Sequence, residues 1–538
     1  MAATPLPPFD RPAVARFLAE ASGASSVELS EPQLLPGGAI QENLGIEAKF
    51  SGGRLGGWQR LVLRTDAATG VPSSLPRLDE FAVLRAVFAA GVTVPEPLLA
   101  CADPNVIGRP FFIMRRLAGT AQGRIITADP AFEPGLPRIA ARLGEELARL
   151  QTIRPPRPDL AFLAPPAANS AFEQIAGFRA YLDRHPNPRP VLEWAIRWLE
   201  TNVPPPLPPV LCHRDFRTGN YMLDTSSGGA WLTGVLDWEF AGWGEPDEDI
   251  GWFCCKGWRF ARLDREAGGI ADRAPFYAAY EAAAGRRLDP ERIRYWEIFA
   301  NVRWAIIALQ QSDRYLVGGA RDLSTAIIGR RAGECELELL LLLDPPGSPA
   351  KAPSPRLGEW VGARGHSTAH RDLPSGAELA ELGRRLLIEE LLPLLPPERH
   401  REVHLIATAI GIAGRETAAG EAPFHDLFRS LAQFYAHAPT PTLPLERGRE
   451  FSPDRGPAKP SPASGGGRPA ATEAGGWGPS QEEEADSSLL RRFARDLRNG
   501  AFESSPSQES AARAILWRLT IARLREANPQ FLAAHGLE

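Results

Sequence analysis

The sequence predicts an α+β first part, in which an antiparallel sheet precedes a set of helices, followed by an all-α second part. Residues 43–50 and 59–65 are alternating or continuous apolar runs between glycines, a pattern typical of a β-hairpin. Residues 111–115 form a third run of this kind. Most later apolar residues recur with helical spacing, and after residue 370 every segment with a regular pattern does so.

The helices of the first part are predicted from their apolar faces. Between the hairpin and the third strand, residues 78–90 place Phe81, Leu84, Val87 and Phe88 on one helical face. Further helices are predicted over residues 139–150, 171–183, 191–200, 274–284, 292–312 and 323–343. The first part therefore has most of its strands early and most of its helices late.

The second part is predicted to be a bundle of about four helices. Ser375 and Glu378 have the spacing of a capping box, which opens a helix reaching Leu392. The other helices are marked by three apolar stripes, namely Val403, Ile406, Ile410 and Ala413, then Leu489, Leu490, Phe493 and Leu497, and finally Ile515, Leu516 and Leu519.

The chain has 538 residues, too many for a single hydrophobic core, and its composition indicates where it divides. Residues 345–370 are rich in Pro, Gly and Ser and have no apolar periodicity, so we expect a linker there. A similar stretch, residues 438–486, interrupts the helical part and is predicted to be a disordered insertion. The domains are therefore residues 1–344 and 371–538.

Composition argues against several classes of function. The formal net charge of -5 comes without a basic stripe, so we expect no nucleic-acid partner. The longest apolar stretch, residues 337–343, is far too short to span a membrane, and the N-terminus has no apolar signal segment. The five cysteines show no C-x-x-C pair, which argues against a disulfide framework or a zinc site. We expect a cytoplasmic protein.

One segment carries a chemical signature. His213, Arg214, Asp215 and Asn220 form the pattern H-R-D-x-x-x-x-N, which has the spacing of a kinase catalytic loop. An apolar strand, predicted over 232–236, ends in Asp237 seventeen residues after Asn220. This order is expected to bring one base and several oxygen ligands together.

These residue types suit the transfer of a phosphoryl group. Asp215 is the candidate catalytic base, because a carboxylate can hold an attacking hydroxyl and accept its proton. Asn220 and Asp237 are candidate ligands of Mg²⁺, which prefers hard oxygen donors. His213 is expected to brace the loop.

With this pattern, residues 25–344 resemble the aminoglycoside phosphotransferase family, a branch of the protein-kinase-like fold. The resemblance implies a bilobal domain that binds ATP, with an N-lobe of about residues 1–117 and a C-lobe of about 118–344. It implies that the turn containing Gly37 and Gly38 covers the phosphates and that Arg64 replaces the usual phosphate-pairing lysine, with Glu80 as its partner. The adenine hinge would contain Met114, Arg115 and Leu117. An arginine can bind phosphate and stays charged, although its reach differs from that of lysine.

Two further features bear on structure and substrate. Asp249 matches the aspartate with which this family ends its magnesium loop, and we expect a structural role, such as capping a helix that begins at Ile250. Lys256, Arg259 and Arg262 alternate with aromatic residues, which suits an anionic, partly aromatic substrate. The alternative is the solvated face of an amphipathic helix.

The part after Asp372 is similar to a small helical domain of unassigned function. By resemblance, the fusion implies a hydroxyacyl-CoA kinase with an acyl-CoA dehydrogenase as a partner. Two alternatives stay open. One is an aminoglycoside- or choline-type alcohol kinase with an unrelated helical appendage. The other is a pseudokinase scaffold that binds nucleotide and recruits a dehydrogenase, favoured by Arg64 and opposed by the intact Asp215, Asn220 and Asp237.

Overall fold

The computed structural model describes residues 9–35, 41–67, 73–226, 228–260, 262–317, 323–345, 376–420, 422–437 and 481–537. Its first lobe is built on a six-stranded antiparallel sheet, and its second lobe consists of helices and two small two-stranded sheets. More helices follow after residue 376. The predicted fold class, a sheet lobe and a helical lobe followed by an all-α part, is confirmed.

The large sheet contains β1 (Ser26–Leu29), β2 (Gln33–Leu34), β3 (Gln41–Ser51), β4 (Gly57–Asp66), β5 (Pro97–Cys101) and β6 (Phe111–Arg115). The small sheets pair β7 (Val210–Cys212) with β10 (Gly242–Gly244) and β8 (Tyr221–Asp224) with β9 (Trp231–Val235). The α-helices are α1 (Arg11–Ser22), α2 (Arg77–Ala89), α3 (Gly123–Ala128), α4 (Leu136–Leu150), α5 (Ser170–Leu182), α6 (Pro190–Thr201), α7 (Pro246–Cys254), α8 (Arg273–Ala284), α9 (Pro290–Leu316), α10 (Leu323–Gly329), α11 (Ala332–Leu343), α12 (Gly376–Arg385), α13 (His400–Ala419), α14 (Ala422–His437), α15 (Gln481–Arg498), α16 (Pro506–Ala527) and α17 (Pro529–Ala533).

The strand order of the large sheet is β1-β3-β4-β6-β5, with β2 also paired to β3. The predicted hairpin is the β3–β4 pair, and the predicted third strand is β6. Within the first lobe, the sequence reasoning missed α1, β1, β2 and β5. The strands among these lie beside the predicted ones and are five residues or shorter, which leaves little alternation to detect.

Two predicted helices are interrupted. The helix predicted over 323–343 is divided into α10 and α11 at Gly329, where any Cβ would lie 2.6 Å from the Cβ of Ser312. The helix predicted to reach Leu392 changes after α12 into a π-helical turn, Leu386–Leu391, followed by a 3₁₀ turn. In both places tertiary packing or a proline overrides a continuous apolar pattern.

The apolar stripe predicted for α13 is right only at its first residue. Val403 is buried, whereas Ile406 and Ala413 are exposed and Ile410 is half-buried. The buried positions are Val403, Ala407, Gly411 and Ile412. The face of α13 that packs against the protein is therefore rotated away from the face predicted from the large apolar side chains.

The C-terminal helices share a hydrophobic core with the helical lobe. In one cluster, Leu192 of α6 and Phe299 of α9 are joined by Phe493 of α15 and Leu516 of α16, all buried. Glu336 of α11 is fully buried and is bound by Arg189 and by Arg523 of α16. The two parts of the chain are thus held by apolar packing and by ion pairs.

The predicted division of the chain falls mostly outside the described residues. Of the predicted linker only Pro345 is described, so the domain limits stay predictions. Of the predicted insertion only 481–486 are described, and the disorder predicted there is wrong, because these residues form the start of α15. In the described ranges no helix is both long enough and apolar enough to cross a membrane.

We expect Leu516→Ala to lower the free energy of unfolding of the whole chain by about 2–5 kcal/mol, because it removes a fully buried side chain from the shared core. The matched control is Leu379→Ala, whose leucine is 55% exposed and whose expected effect is within about 0.5 kcal/mol. Guanidinium denaturation followed by tryptophan fluorescence measures both. Equal losses for the two variants would contradict a shared core.

Candidate active site

The loop of residues 213–220 connects β7 to β8, and Asp249 of α7 holds the start of this loop. The two oxygens of this buried carboxyl accept hydrogen bonds from the backbone N–H groups of His213, at 2.7 Å, and Arg214, at 2.8 Å. Burial, with the nearby Glu248, raises the pKa of Asp249 to about 7. The helix-capping role expected for Asp249 is wrong, because α7 already begins at Pro246; Asp249 instead holds the loop.

His213 braces the loop from inside, as expected. Its Nδ1 accepts a hydrogen bond from the backbone N–H of Asp215 at 3.2 Å, and its Nε2 lies 2.8 Å from the carbonyl oxygen of Leu236. Burial lowers the pKa of His213, which favours the neutral ring with its proton on Nε2. The ring thereby connects the H-R-D loop with the end of β9.

Asp215 has a partner on each carboxylate oxygen. Oδ2 accepts from Asn220 Nδ2 at 2.6 Å. Oδ1 accepts from Trp252 Nε1 at 2.9 Å and from Arg217 Nε at 3.0 Å. Trp252 is buried in α7, so the position of the carboxylate is determined by an element far along the chain. Both Trp252 and Arg217 were missed by the sequence reasoning.

Asn220 and Asp237 are brought together by the backbone, because the N–H of Leu236 donates to the carbonyl of Asn220 at 2.8 Å. Asn220 uses its Nδ2 on Asp215, and no described residue donates a hydrogen bond to its Oδ1. Asp237 binds Arg64 through Oδ1, and within the described ranges nothing donates a hydrogen bond to its Oδ2. Two hard oxygens in this arrangement fit the ligand preference of Mg²⁺.

The backbone is strained at this site. Arg214 has φ +64° and Asp237 has φ +69°, values that non-glycine residues seldom adopt. Such strain persists only where surrounding contacts enforce it, and it concentrates at functional sites. Here the contacts are Asp249 beneath Arg214 and Arg64 beside Asp237.

Arg64 on β4 forms the expected ion pair with Glu80 on α2. Its Nε donates to Glu80 Oε2 at 3.0 Å, and its Nη2 lies 2.9 Å from Glu80 Oε1. The same Nη2 donates to Asp237 at 2.6 Å. Although burial alone would raise the pKa of Asp237, the Arg64 guanidinium outweighs it and holds that pKa below its ordinary value.

A second arginine and a third carboxylate complete this network, and the sequence reasoning missed both. Arg77, fully buried, binds Glu80 and lies 3.8 Å from Glu239. Glu239 accepts from Gln41 Nε2 at 2.8 Å and from the hydroxyl of Ser74. Burial and the neighbouring Asp237 raise the pKa of Glu239 to about 7. The only sequence signal was the spacing Asp237-x-Glu239 at the strand end.

Arg64→Lys is expected to lower the free energy of unfolding by about 1–3 kcal/mol, because a single ammonium cannot reproduce the fork that binds Glu80 and Asp237 and would leave a buried acceptor unpaired. Arg60→Lys on the same strand, 78% exposed, is the control and should change stability by less than about 0.5 kcal/mol. Chemical denaturation without nucleotide measures both. A loss for Arg64→Lys no larger than for the control would contradict this.

The three hinge candidates take different places. Met114 is half-buried on β6 and pairs with Val62 of β4. Arg115 already forms hydrogen bonds within the protein: its Nε donates to the Glu96 carboxylate at 2.8 Å, and its backbone N–H donates to the Glu96 carbonyl at 3.0 Å. Leu117 packs on Gly234 of β9, and a Cβ added at Gly234 would lie 2.5 Å from Leu117 Cδ1. Gly37 and Gly38 lie outside the described residues.

The basic residues after α7 all have protein partners. Lys256 Nζ lies 2.7 Å from Glu338 Oε2 and 3.1 Å from His535 Nε2. Arg259 is buried and donates to two backbone carbonyls. Arg262, partly exposed, pairs with Asp264. The contacts therefore give Lys256 and Arg259 structural roles instead of the expected anion site.

Residues 49–296 match the model of the phosphotransferase enzyme family. The chain is 32% identical over 203 residues to acyl-CoA dehydrogenase family member 11 of Gallus gallus, a match covering 36% of this chain and 25% of that protein. It is 28% identical over 206 residues to family member 10 of Mus musculus, covering 37% and 18%. It is 26% identical over 341 residues to the probable acyl-CoA dehydrogenase IBR3 of Arabidopsis thaliana, covering 58% and 40%. The chain thus spans two fifths or less of the length of these relatives.

Solved structures with a similar arrangement include a Ralstonia eutropha protein provisionally assigned as an aminoglycoside phosphotransferase. It is 22% identical, has a TM-score of 0.49, and the match covers 62% of this chain and 98% of that one. An ethanolamine kinase of Plasmodium vivax is 15% identical with a TM-score of 0.38, the match covering 57% and 81%.

Proposed function

We propose that this chain, which carries a domain of the phosphotransferase enzyme family over residues 49–296, transfers the γ-phosphoryl group of ATP to the hydroxyl of a small molecule. The observation that supports this most is the convergence of Asp215, Asn220, Asp237 and Arg64 within one hydrogen-bonded network. Their types and order suit a base, two oxygen ligands and a phosphate-neutralising cation.

In this proposal Asp215 orients the acceptor hydroxyl and takes its proton. Asn220 and Trp252 donate to its two oxygens and so set the direction of the carboxylate. Positioning of this kind supports reaction, since the hydroxyl must approach in line with the bond that breaks. His213 and Asp249 keep the loop backbone in place beneath it.

Asn220 Oδ1 and Asp237 Oδ2 would hold Mg²⁺ together with oxygens of the nucleotide. When bound, the ion would neutralise charge on the phosphates. In the described part of the chain, no cluster of three or more His, Cys, Asp or Glu side chains could hold a metal ion by itself. Mg²⁺ often takes one or two protein ligands and completes its shell with phosphate and water.

The proposed acceptor is a hydroxyacyl-CoA, with an acyl-CoA dehydrogenase as a partner of the chain. Two relatives that match this chain over about 200 residues are named as acyl-CoA dehydrogenase family members. Their names support a connection with acyl-CoA substrates. We further propose the domain limits 1–344 and 371–538, with the second domain fixed on the first through their shared core.

The test is ATP consumption by the full chain against 3-, 4- and 5-hydroxyacyl-CoA thioesters, free hydroxy acids, aminoglycosides and choline. The thioester should turn over far better than its free acid, because remote contacts with the CoA moiety help to position the hydroxyl. A preference for the free acid or for a cationic alcohol would reject the CoA substrate and keep the kinase. Nucleotide binding without turnover of any acceptor would favour the scaffold.

A further inference from the structure

Arg217 lies beside the proposed base and is held from three directions. Its Nε donates to Asp215 Oδ1 at 3.0 Å, and its Nη1 donates to the carbonyl of Thr218 at 3.2 Å. Its guanidinium carbon stacks 4.5 Å from the centre of the Trp258 ring. An arginine fixed in this way loses little conformational freedom when it binds a further group.

The loop leaves space for this side chain at Gly219. That residue has φ +108°, and any Cβ there would lie 2.7 Å from Arg217 Nη1. The guanidinium therefore covers a position from which other side chains are excluded by space and by backbone conformation. Beneath it, Trp258 packs on Trp252 and Trp304 in an aromatic cluster with ring centres 5.1 and 4.6 Å apart, which gives a rigid support.

One side of the guanidinium is still available. Among the described residues, none accepts a hydrogen bond from Arg217 Nη2, and the side chain is 24% exposed. An acceptor hydroxyl that reaches Asp215 would bring its neighbouring atoms within about 5 Å of this nitrogen, given ordinary hydrogen-bond lengths.

We propose that Arg217 determines acceptor specificity by donating from Nη2 to a carbonyl or carboxylate oxygen that lies a few bonds from the reacting hydroxyl. This rests on the proposed phosphotransfer at Asp215 and narrows its substrate class. A guanidinium beside the base favours such oxygens and repels ammonium groups at similar range. It would thus select hydroxyacyl compounds over polycationic alcohols.

A matched pair of acceptors isolates this contact. The full chain is assayed with 4-hydroxybutyryl-CoA and with S-(4-hydroxybutyl)-CoA, which keeps the CoA moiety and the hydroxyl and replaces only the thioester carbonyl by a methylene. For Arg217→Gln, kcat/KM on the thioester should fall about 10- to 100-fold more than on the thioether, the size of a hydrogen bond from a charged donor. Arg217→Lys should recover part of the difference.

Arg157→Gln is the control, because Arg157 is a partly exposed cation of the helical lobe and pairs with Asp159 instead of the loop. It should treat the two acceptors alike. If Arg217 served the transferred phosphoryl group, Arg217→Gln would lose equally on both acceptors, and that result overturns the inference while the kinase stands. If the wild-type chain uses only free acids, the pair becomes 4-hydroxybutyrate and 1,4-butanediol. If it phosphorylates no acceptor, the proposed function and this inference both fail.

Discussion

Asp215→Asn is expected to lower turnover by about 100-fold or more while nucleotide binding is largely kept. The amide cannot accept the proton of the attacking hydroxyl. Losing the base therefore raises the energy of the transition state and leaves the affinity for ATP nearly unchanged. The measurement is kcat and the KM for ATP with the best acceptor of the panel, in parallel with nucleotide binding by calorimetry.

Asp159→Asn is the matched control for this substitution. Asp159 is an exposed aspartate of the helical lobe whose partner is Arg157, and its variant should keep wild-type turnover. Unchanged turnover in Asp215→Asn would reject Asp215 as the base. A fall in both variants would indicate a general effect of losing a carboxylate.

Asp237→Asn is expected to weaken Mg-ATP binding and turnover together, by about 100-fold or more in kcat/KM. It would remove a charged oxygen from the proposed Mg²⁺ site and also the ion pair with Arg64, so the nucleotide should lose affinity before any chemistry takes place. The distinction from Asp215→Asn lies in the KM for Mg-ATP, which should rise here and stay nearly constant there. Titration of Mg²⁺ at fixed ATP measures the loss directly.

The control is Asp224→Asn at the end of β8, the partner strand of β9. Asp224 accepts hydrogen bonds from the backbone N–H groups of Thr225 and Ser226 in a turn, and none of the site residues that the structure describes hydrogen-bonds to it. Its variant should keep the affinity for Mg-ATP. A normal magnesium dependence in Asp237→Asn would remove Asp237 from the proposed ligands.

Sequence alone was sufficient for the elements that depend on short-range pattern. The β3–β4 hairpin follows from alternation between glycines, and the loop from His213 to Asn220 follows from a spacing of seven residues. The pairing of Arg64 with Glu80 could also be expected, because the family that the chain resembles pairs a basic residue with an acidic helix residue at these positions. These features are local or inherited from a known order of elements, so they can be predicted before the chain is folded.

The tertiary structure decided the contacts between residues that are distant in the chain. Arg64 meets Asp237 across 173 positions, and Trp252 reaches Asp215 across 37. The apolar periodicity of the sequence cannot predict such contacts, because they depend on how helices and sheets pack against one another. The same reason explains why Asp249 holds the loop, why α13 buries Ala407 in place of Ile406, and why the C-terminal helices share the core of the helical lobe.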